Sequence, residues 1–358
     1  MAGSVSSNVR PGRSMRAAMF EGVGRPLRIG ERPAPAPGPG QLVLKVAYCG
    51  ICGSDLHATG TESYGLALGA TLGHEFAGEV AASGSPAFRE GDRVTVLPLW
   101  ACDDCAEAGA CREGLGALCP RSRFLGLYGP APGAYAEYVK VRAAQAMPLP
   151  EGVSLRDGAL VEPLAVGAHA VAAAGPLAGA RVLVLGAGPI GVAAAVMARL
   201  AGAAIVAASE PAVGRRERAR RPGVAMLGPE AGDLARQFAD AAGGPPDVIV
   251  DCVGKPGLLQ QCIALSRPRG RIVVAGVCMG EDRITPRAAI RKELTVSWVL
   301  AYSREDFERV IWHMQSGEID CDAIVSAVIG LDALPNMFEA LRTPNNHLKV
   351  LIDPALAD

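Results

Sequence analysis

The chain has 358 residues, half of them hydrophobic and 20% charged, with 35 basic side chains against 36 acidic ones and a formal net charge of −1. That length suits two domains of roughly 100–200 residues each, and the composition excludes a disordered or collagen-like chain. The balanced charge leaves no footprint for nucleic acid or an anionic membrane, which makes chemistry on a small molecule the better default.

The first fourteen residues, MAGSVSSNVRPGRS, are small and polar with no apolar run of the secretory kind, and they read as a loose tail. Over residues 16–46 the short apolar runs RAAMF and QLVLKV flank the proline-rich turn RPAPAPGPG, which predicts strands of a β-rich domain. GEVAAS, DRVTVLPL and AYAEYVKV continue that character. Beyond residue 165 the runs VLVLGAG, AIVAASE, DVIVDCV and RIVVAGV are apolar and β-branched, and helix-length segments separate them. This alternation predicts a doubly wound parallel sheet of the α/β class. Residues 182–208 are apolar enough to raise a membrane span, but Gly186, Gly188, Pro189 and Gly191 break the stretch and Arg199 interrupts it. Near the end, REDFERVIWHMQSG predicts a helix and HLKVLID a strand.

Gly186, Gly188 and Gly191, with Pro189 and Ile190 between them, spell G-x-G-x-x-G directly after VLVL and before a helical segment. Glycines there permit a tight turn and close approach to a pyrophosphate at the helix N-terminus. Glu210 follows the next strand, about 20 residues on, where an acid accepts hydrogen bonds from the ribose hydroxyls and repels a 2′-phosphate; NAD is favoured over NADP. Arg215 and Arg216, in GRRERARR, pull toward a 2′-phosphate, although such a run also suits a solvated helix face.

Six of the ten cysteines precede residue 120, which favours metal binding in a reducing cytoplasm over crosslinks. Cys102, Cys105, Cys111 and Cys119 are spaced C-x2-C-x5-C-x7-C, a set able to enclose one tetrahedral zinc with no open position. A second, dispersed set is Cys52 in GICGSDLH, His74 in GHE and Glu162 in VEPLAVGAHA. Together they would leave zinc one position for a substrate oxygen. By spacing alone, Cys49 and Cys52 also suit a redox C-x-x-C pair, and Glu-Pro also suits a helix boundary.

GICGSDLH, LGHEFAGEV, GDRV, the cysteine lobe, GAYAEYV, VEPLAVGAHA, GAGPIG and the closing KVLIDP together resemble the zinc-containing medium-chain dehydrogenases/reductases. The sorbitol, threonine and butanediol dehydrogenase branch is the nearest, and the resemblance runs over residues 15–354. It implies a GroES-like β-rich catalytic domain over 15–165, with the structural zinc lobe at about 101–120, then a Rossmann domain over 166–302 and a returning segment over 303–358. Cys52, His74 and Glu162 become the catalytic zinc set, with Glu75 beside the metal as an exchanging ligand or outer acid. Ser54 and His57 become the relay that carries the alcohol proton outward. The family usually separates the second and third lobe cysteines by two residues; five intervene here, so the lobe is expected to be remodelled.

The activity so implied is reversible hydride transfer between a secondary alcohol or polyol and NAD, in a cytoplasmic homodimer or homotetramer. Two rivals share the fold: a zinc-independent enone or quinone reductase, and a non-catalytic NAD-binding protein. The presence of Cys52, His74 and Ser54 argues against both. His169, His313 and His347 lack a comparable motif and read as structural or exposed. Tyr64, Leu99, Trp100, Phe124 and Trp298 are pocket candidates that also suit plain packing.

Overall fold

The computed structural model describes residues 13–100, 116–119, 121–128, 132–229 and 233–357. The first twelve residues and three of the lobe cysteines, Cys102, Cys105 and Cys111, lie outside the described residues. Two compact units emerge. The first takes the described residues within Met1–Glu162, Val325–Asn345 and Lys349–Asp358, and the second takes those within Pro163–Ile324 and Asn346–Leu348.

In the first unit β1 (Ser14–Met19) and β2 (Arg28–Pro33) pair as an antiparallel ribbon. The central strand is β3 (Gln41–Gly50), which pairs antiparallel with β4 (Glu75–Ser83); β4 in turn pairs with β5 (Arg93–Val96). Leu42, Val43 and Leu44 of β3 are all buried, so neighbours cover both of its faces. A short pair, β6 (Leu99–Trp100) with β7 (Arg123–Phe124), stands apart. Then β8 (Tyr138–Arg142) adds to β3, and β9 (Ala146–Pro148) adds to β5.

The second unit is a six-stranded sheet in which every pairing is parallel. Its strands are β10 (Arg181–Leu185), β11 (Ile205–Ser209), β12 (Val224–Leu227), β13 (Val248–Asp251), β14 (Arg271–Val274) and β15 (Thr295–Trp298). Their spatial order is β12-β11-β10-β13-β14-β15. The chain winds outward from β10 in one direction and from β13 in the other, which opens a crevice at the carboxyl ends of those two strands. Residues 182–185 and 248–250 are buried throughout, as expected for parallel strands covered on both faces. Residues 182–208, the apolar stretch, form β10, a helix and β11. No helix among the described residues is long and apolar enough to cross a membrane.

The helix Arg304–Gln315 belongs with this second unit. Ser303 and Asp306 cap it reciprocally, and His169 Nδ1 lies 2.9 Å from Asp306 Oδ2, which ties the helix to the start of the same unit. The return to the first unit therefore begins at β16 (Val325–Ile329), later than residue 303. β16 pairs with β17 (Lys349–Ile352), and β17 pairs antiparallel with β3. This places the last strand of the chain against the strand that leads into the candidate site.

Candidate functional site

β3 ends at Gly50, and two residues later Cys52 caps α1 (Gly53–Gly60). The helix has little apolar period, and its start is made by a side chain: Asp55, in the first turn, accepts the Cys52 N–H at Oδ2 (3.1 Å). Its end is held from the returning segment, where Arg342 donates to Leu56 O (2.6 Å) and to Thr59 Oγ1 (2.6 Å). Ser54 and His57 are thereby fixed three residues apart on one helix, Ser54 half-buried and His57 exposed.

His74 precedes β4 and Glu75 opens it. One donor atom from each of Cys52, His74 and Glu75 lies within 4.8 Å of the others. A thiol, an imidazole and a carboxylate form the mixed donor set that suits zinc. The support behind the imidazole fits a metal as well. His74 Nδ1 faces Asp55 Oδ1 at 3.3 Å, and among the described residues neither atom has another hydrogen-bond partner; a carboxylate so placed is the outer support a metal-binding histidine uses. His74 Nε2 lies 3.3 Å from Ser54 Oγ. Burial opposes charge on His74, but the Asp55 carboxylate outweighs it and holds the imidazole well above its ordinary pKa. The position favours a cation. Phe124 stands edge-on to His74 at 5.1 Å between ring centres and walls the site, with Leu99 its β6–β7 partner.

Glu75 does not face this group alone. Lys349, the first residue of β17 and only 1% exposed, donates to Glu75 Oε1 (2.7 Å), to Oε2 and to Ile51 O (3.0 Å). Burial would strip its proton, but the charges of Glu75, Cys52 and Glu162 raise its pKa and keep it an ammonium. Glu162, in the first turn of the helix Val161–Ala173, is buried yet lies outside the tight donor group. Of the two carboxylates foreseen, Glu75 is the one grouped with Cys52 and His74. Cys49 is fully buried, and burial pushes its thiol well above its usual range. It is a protonated core residue, a poor half of a redox pair.

Asp55, Tyr135 and Lys349 sit in motifs the sequence displays, GSDLH, GAYAEYV and KVLIDP, yet no local pattern marks their part. Only tertiary contact does. Cys119 is buried. Trp298, a pocket candidate, is 69% exposed on the outer strand β15.

The second unit carries the glycine turn between β10 and the helix Pro189–Leu200. A Cβ on Gly191 would stand 1.8 Å from Gly186 O, so only glycine lets the helix start this close to the strand. Gly188 caps the helix, Pro189 opens it, and both are partly exposed with Ile190. Glu210 closes the turn from β11: its buried carboxylate accepts Ala187 N–H (3.2 Å) and Ala212 N–H (3.0 Å). Arg215 lies 3.8 Å from Glu210, whereas Arg216 is buried and donates to the carbonyls of Glu210 and Pro211.

One unit with a parallel nucleotide-type sheet and another, β-rich, with a mixed metal donor set define a zinc dehydrogenase architecture. Comparison with known proteins agrees. The chain matches the alcohol dehydrogenase GroES-like domain over residues 38–151 and the zinc-binding dehydrogenase domain over 189–316. It is 34% identical to a 2-dehydro-3-deoxy-L-galactonate 5-dehydrogenase of Pseudoalteromonas atlantica, over 95% of this chain and 98% of that protein. The crystal structure of 2R,3R-butanediol dehydrogenase from Bacillus subtilis superposes with a TM-score of 0.87 at 32% identity, covering 95% of this chain and 100% of the other. A zinc-binding dehydrogenase from Sinorhizobium meliloti, solved with NADP, gives 0.86 at 32% identity, covering 96% and 100%. The chain belongs to the zinc-binding alcohol dehydrogenase family and is an oxidoreductase acting on CH–OH groups.

Proposed function

We propose that this chain oxidises a secondary alcohol reversibly to its ketone, with NAD as the hydride acceptor and zinc held by Cys52 and His74 beside the carboxylates Glu75 and Glu162. The observation that carries the reading is the thiol, imidazole and carboxylate group of Cys52, His74 and Glu75, with a hydroxyl 3.3 Å from the imidazole. When bound, zinc supplies a Lewis acid for the substrate oxygen and the dinucleotide supplies the hydride acceptor. Ser54 accepts the proton from the substrate hydroxyl, and His57, exposed and three residues further along α1, hands it to water. Asp55 holds the His74 tautomer, and Phe124 keeps one wall of the site apolar.

The sugar acid and the butanediol in the relatives' names each carry a secondary hydroxyl beside another oxygen, so a vicinal diol or polyol is the substrate class we infer. NAD is preferred because Glu210 repels a 2′-phosphate at the turn and Arg216 is committed to backbone carbonyls. Arg215, beside Glu210, favours the second reading, NADP, which the Sinorhizobium relative binds. Cys102, Cys105, Cys111 and Cys119 are taken as a second, structural zinc set.

A cytoplasmic homodimer completes the reading. Trp298 on the outer strand β15 and Leu300 just after it are exposed, as are Val277, Met279, Ile284 and Ile290 in the segments between β14 and β15, and exposed apolar side chains at an open sheet edge suit a second copy.

The test is reduction of NAD and NADP by the purified chain with vicinal diols, polyols and sugar acids, alongside Cys52→Ser. Turnover with NAD that vanishes in Cys52→Ser, while NADH still binds by fluorescence, is expected. Undiminished turnover in that variant would remove the metal reading, and a strong preference for NADP would remove the NAD assignment.

A further inference from the structure

Tyr135 lies just before β8, its side chain fully buried and its backbone fixed on both sides: its N–H donates to Leu72 O (2.9 Å) and its carbonyl accepts from Ala18 (2.8 Å). The ring passes over Gly73, whose φ is +97° and where an added Cβ would stand 2.5 Å from the ring. Phe338, from the helix Leu334–Ala340, meets the ring edge-on at 6.4 Å. For packing alone a phenylalanine would serve here, because a buried hydroxyl is costly unless it is bonded.

The hydroxyl is bonded. Its one proton goes to Asp55 Oδ2 at 2.6 Å, with Gly50 O more distant at 3.4 Å. Asp55 Oδ2 thus receives two donors, Tyr135 O–H and Cys52 N–H, while Oδ1 faces His74 Nδ1. With both donors on one oxygen, the carboxylate cannot rotate without losing them.

We propose that Tyr135 is a positioning residue for the metal site, its hydroxyl locking the Asp55 carboxylate so that Oδ1 orients His74 and leaves Nε2 for the metal. The inference rests on the reading of Cys52 and His74 as zinc ligands. It makes the outer support of the metal a three-member chain, Tyr135 to Asp55 to His74, drawn from three separate segments of the first unit. Removing the hydroxyl leaves Asp55 Oδ2 with the Cys52 N–H as its remaining donor, so the carboxylate is held less firmly and the imidazole loses part of the support that fixes its orientation. Loss of such an outer partner typically weakens metal holding about 10–100-fold.

The test measures zinc release from the full chain into a colorimetric chelator. The phase belonging to this site is the one missing from Cys52→Ser. Tyr135→Phe should speed that phase at least about tenfold. Phe338→Leu, which loosens packing against the same ring but spares the hydroxyl, should lower Tm and leave the phase at the wild-type rate. The cobalt-substituted chain should show shifted visible bands in Tyr135→Phe and unshifted ones in Phe338→Leu. An unchanged release rate in Tyr135→Phe, or equal acceleration in both variants, overturns the proposal. A wild-type chain with no Cys52-dependent zinc phase instead overturns the metal reading beneath it.

Discussion

At the scale of single residues, Lys349 faces two opposed effects: removal of its charge from water, and the attraction of Glu75 at 2.7 Å in a fully buried setting. Breaking such a pair strands the other charge, which costs about 3–5 kcal/mol. Lys349→Met should therefore lower the denaturation midpoint sharply, and adding Glu75→Gln should restore much of it, since no buried charge is then left alone. A midpoint equal to wild type in Lys349→Met would show that the pair contributes nothing. Cys52, His74 and Glu75 were candidates in the sequence through the family motifs GICGSDLH and GHE, since spacing alone also suited a redox pair, and the fold brings their donor atoms together. Lys349 and Tyr135 were not, because their partners lie 274 and 80 residues away and neither bears a local mark. Sequence placed both Glu75 and Glu162 near the metal, and it is the fold that groups Glu75 with Cys52 and His74 while Glu162 stands buried on a helix start.

At the scale of elements, β10, β11, β13 and β14 could be read directly, since strands covered on both faces appear as unbroken β-branched runs. β12 and β15 left no such signal. They are the outer strands, each only four residues long and partly exposed, so neither forms an unbroken β-branched run. α1 was hidden too, because its start comes from Asp55 capping and its end from Arg342. The tie between β10 and β13 is electrostatic as well as laddered: Arg181, opening β10, donates three times to Asp247 just before β13, at 2.8, 2.9 and 3.3 Å, and Arg267 is a second partner. Hydrogen bonds from Arg181 hold the Asp247 carboxyl well below its ordinary range. A depressed folded pKa gives stability that is full above the unfolded value near ~4 and is lost as pH falls through the folded value. Asp247→Asn should therefore cost roughly 2 kcal/mol at pH 7, and the gap to wild type should narrow as pH drops below about 4. Denaturant titrations at several pH values read this out; a gap independent of pH would assign the effect to shape alone.

At the scale of the whole molecule, the two units divide the work proposed here, the first holding metal donors and the relay pair, the second the glycine turn. The exposed patch around β15 predicts a dimer in solution. Trp298→Arg with Ile290→Arg should halve the mass seen by light scattering and leave the fold intact, whereas an unchanged mass would move the interface elsewhere. Metal-dependent chemistry is the premise on which the rest depends. The measurement that bears on it most directly is zinc content per chain with turnover followed through removal and return of the metal. About two zincs per wild-type chain and about one in Cys52→Ser are expected, with turnover lost on chelation and regained on adding zinc. A stripped chain that still oxidises the alcohol at the full rate would contradict it.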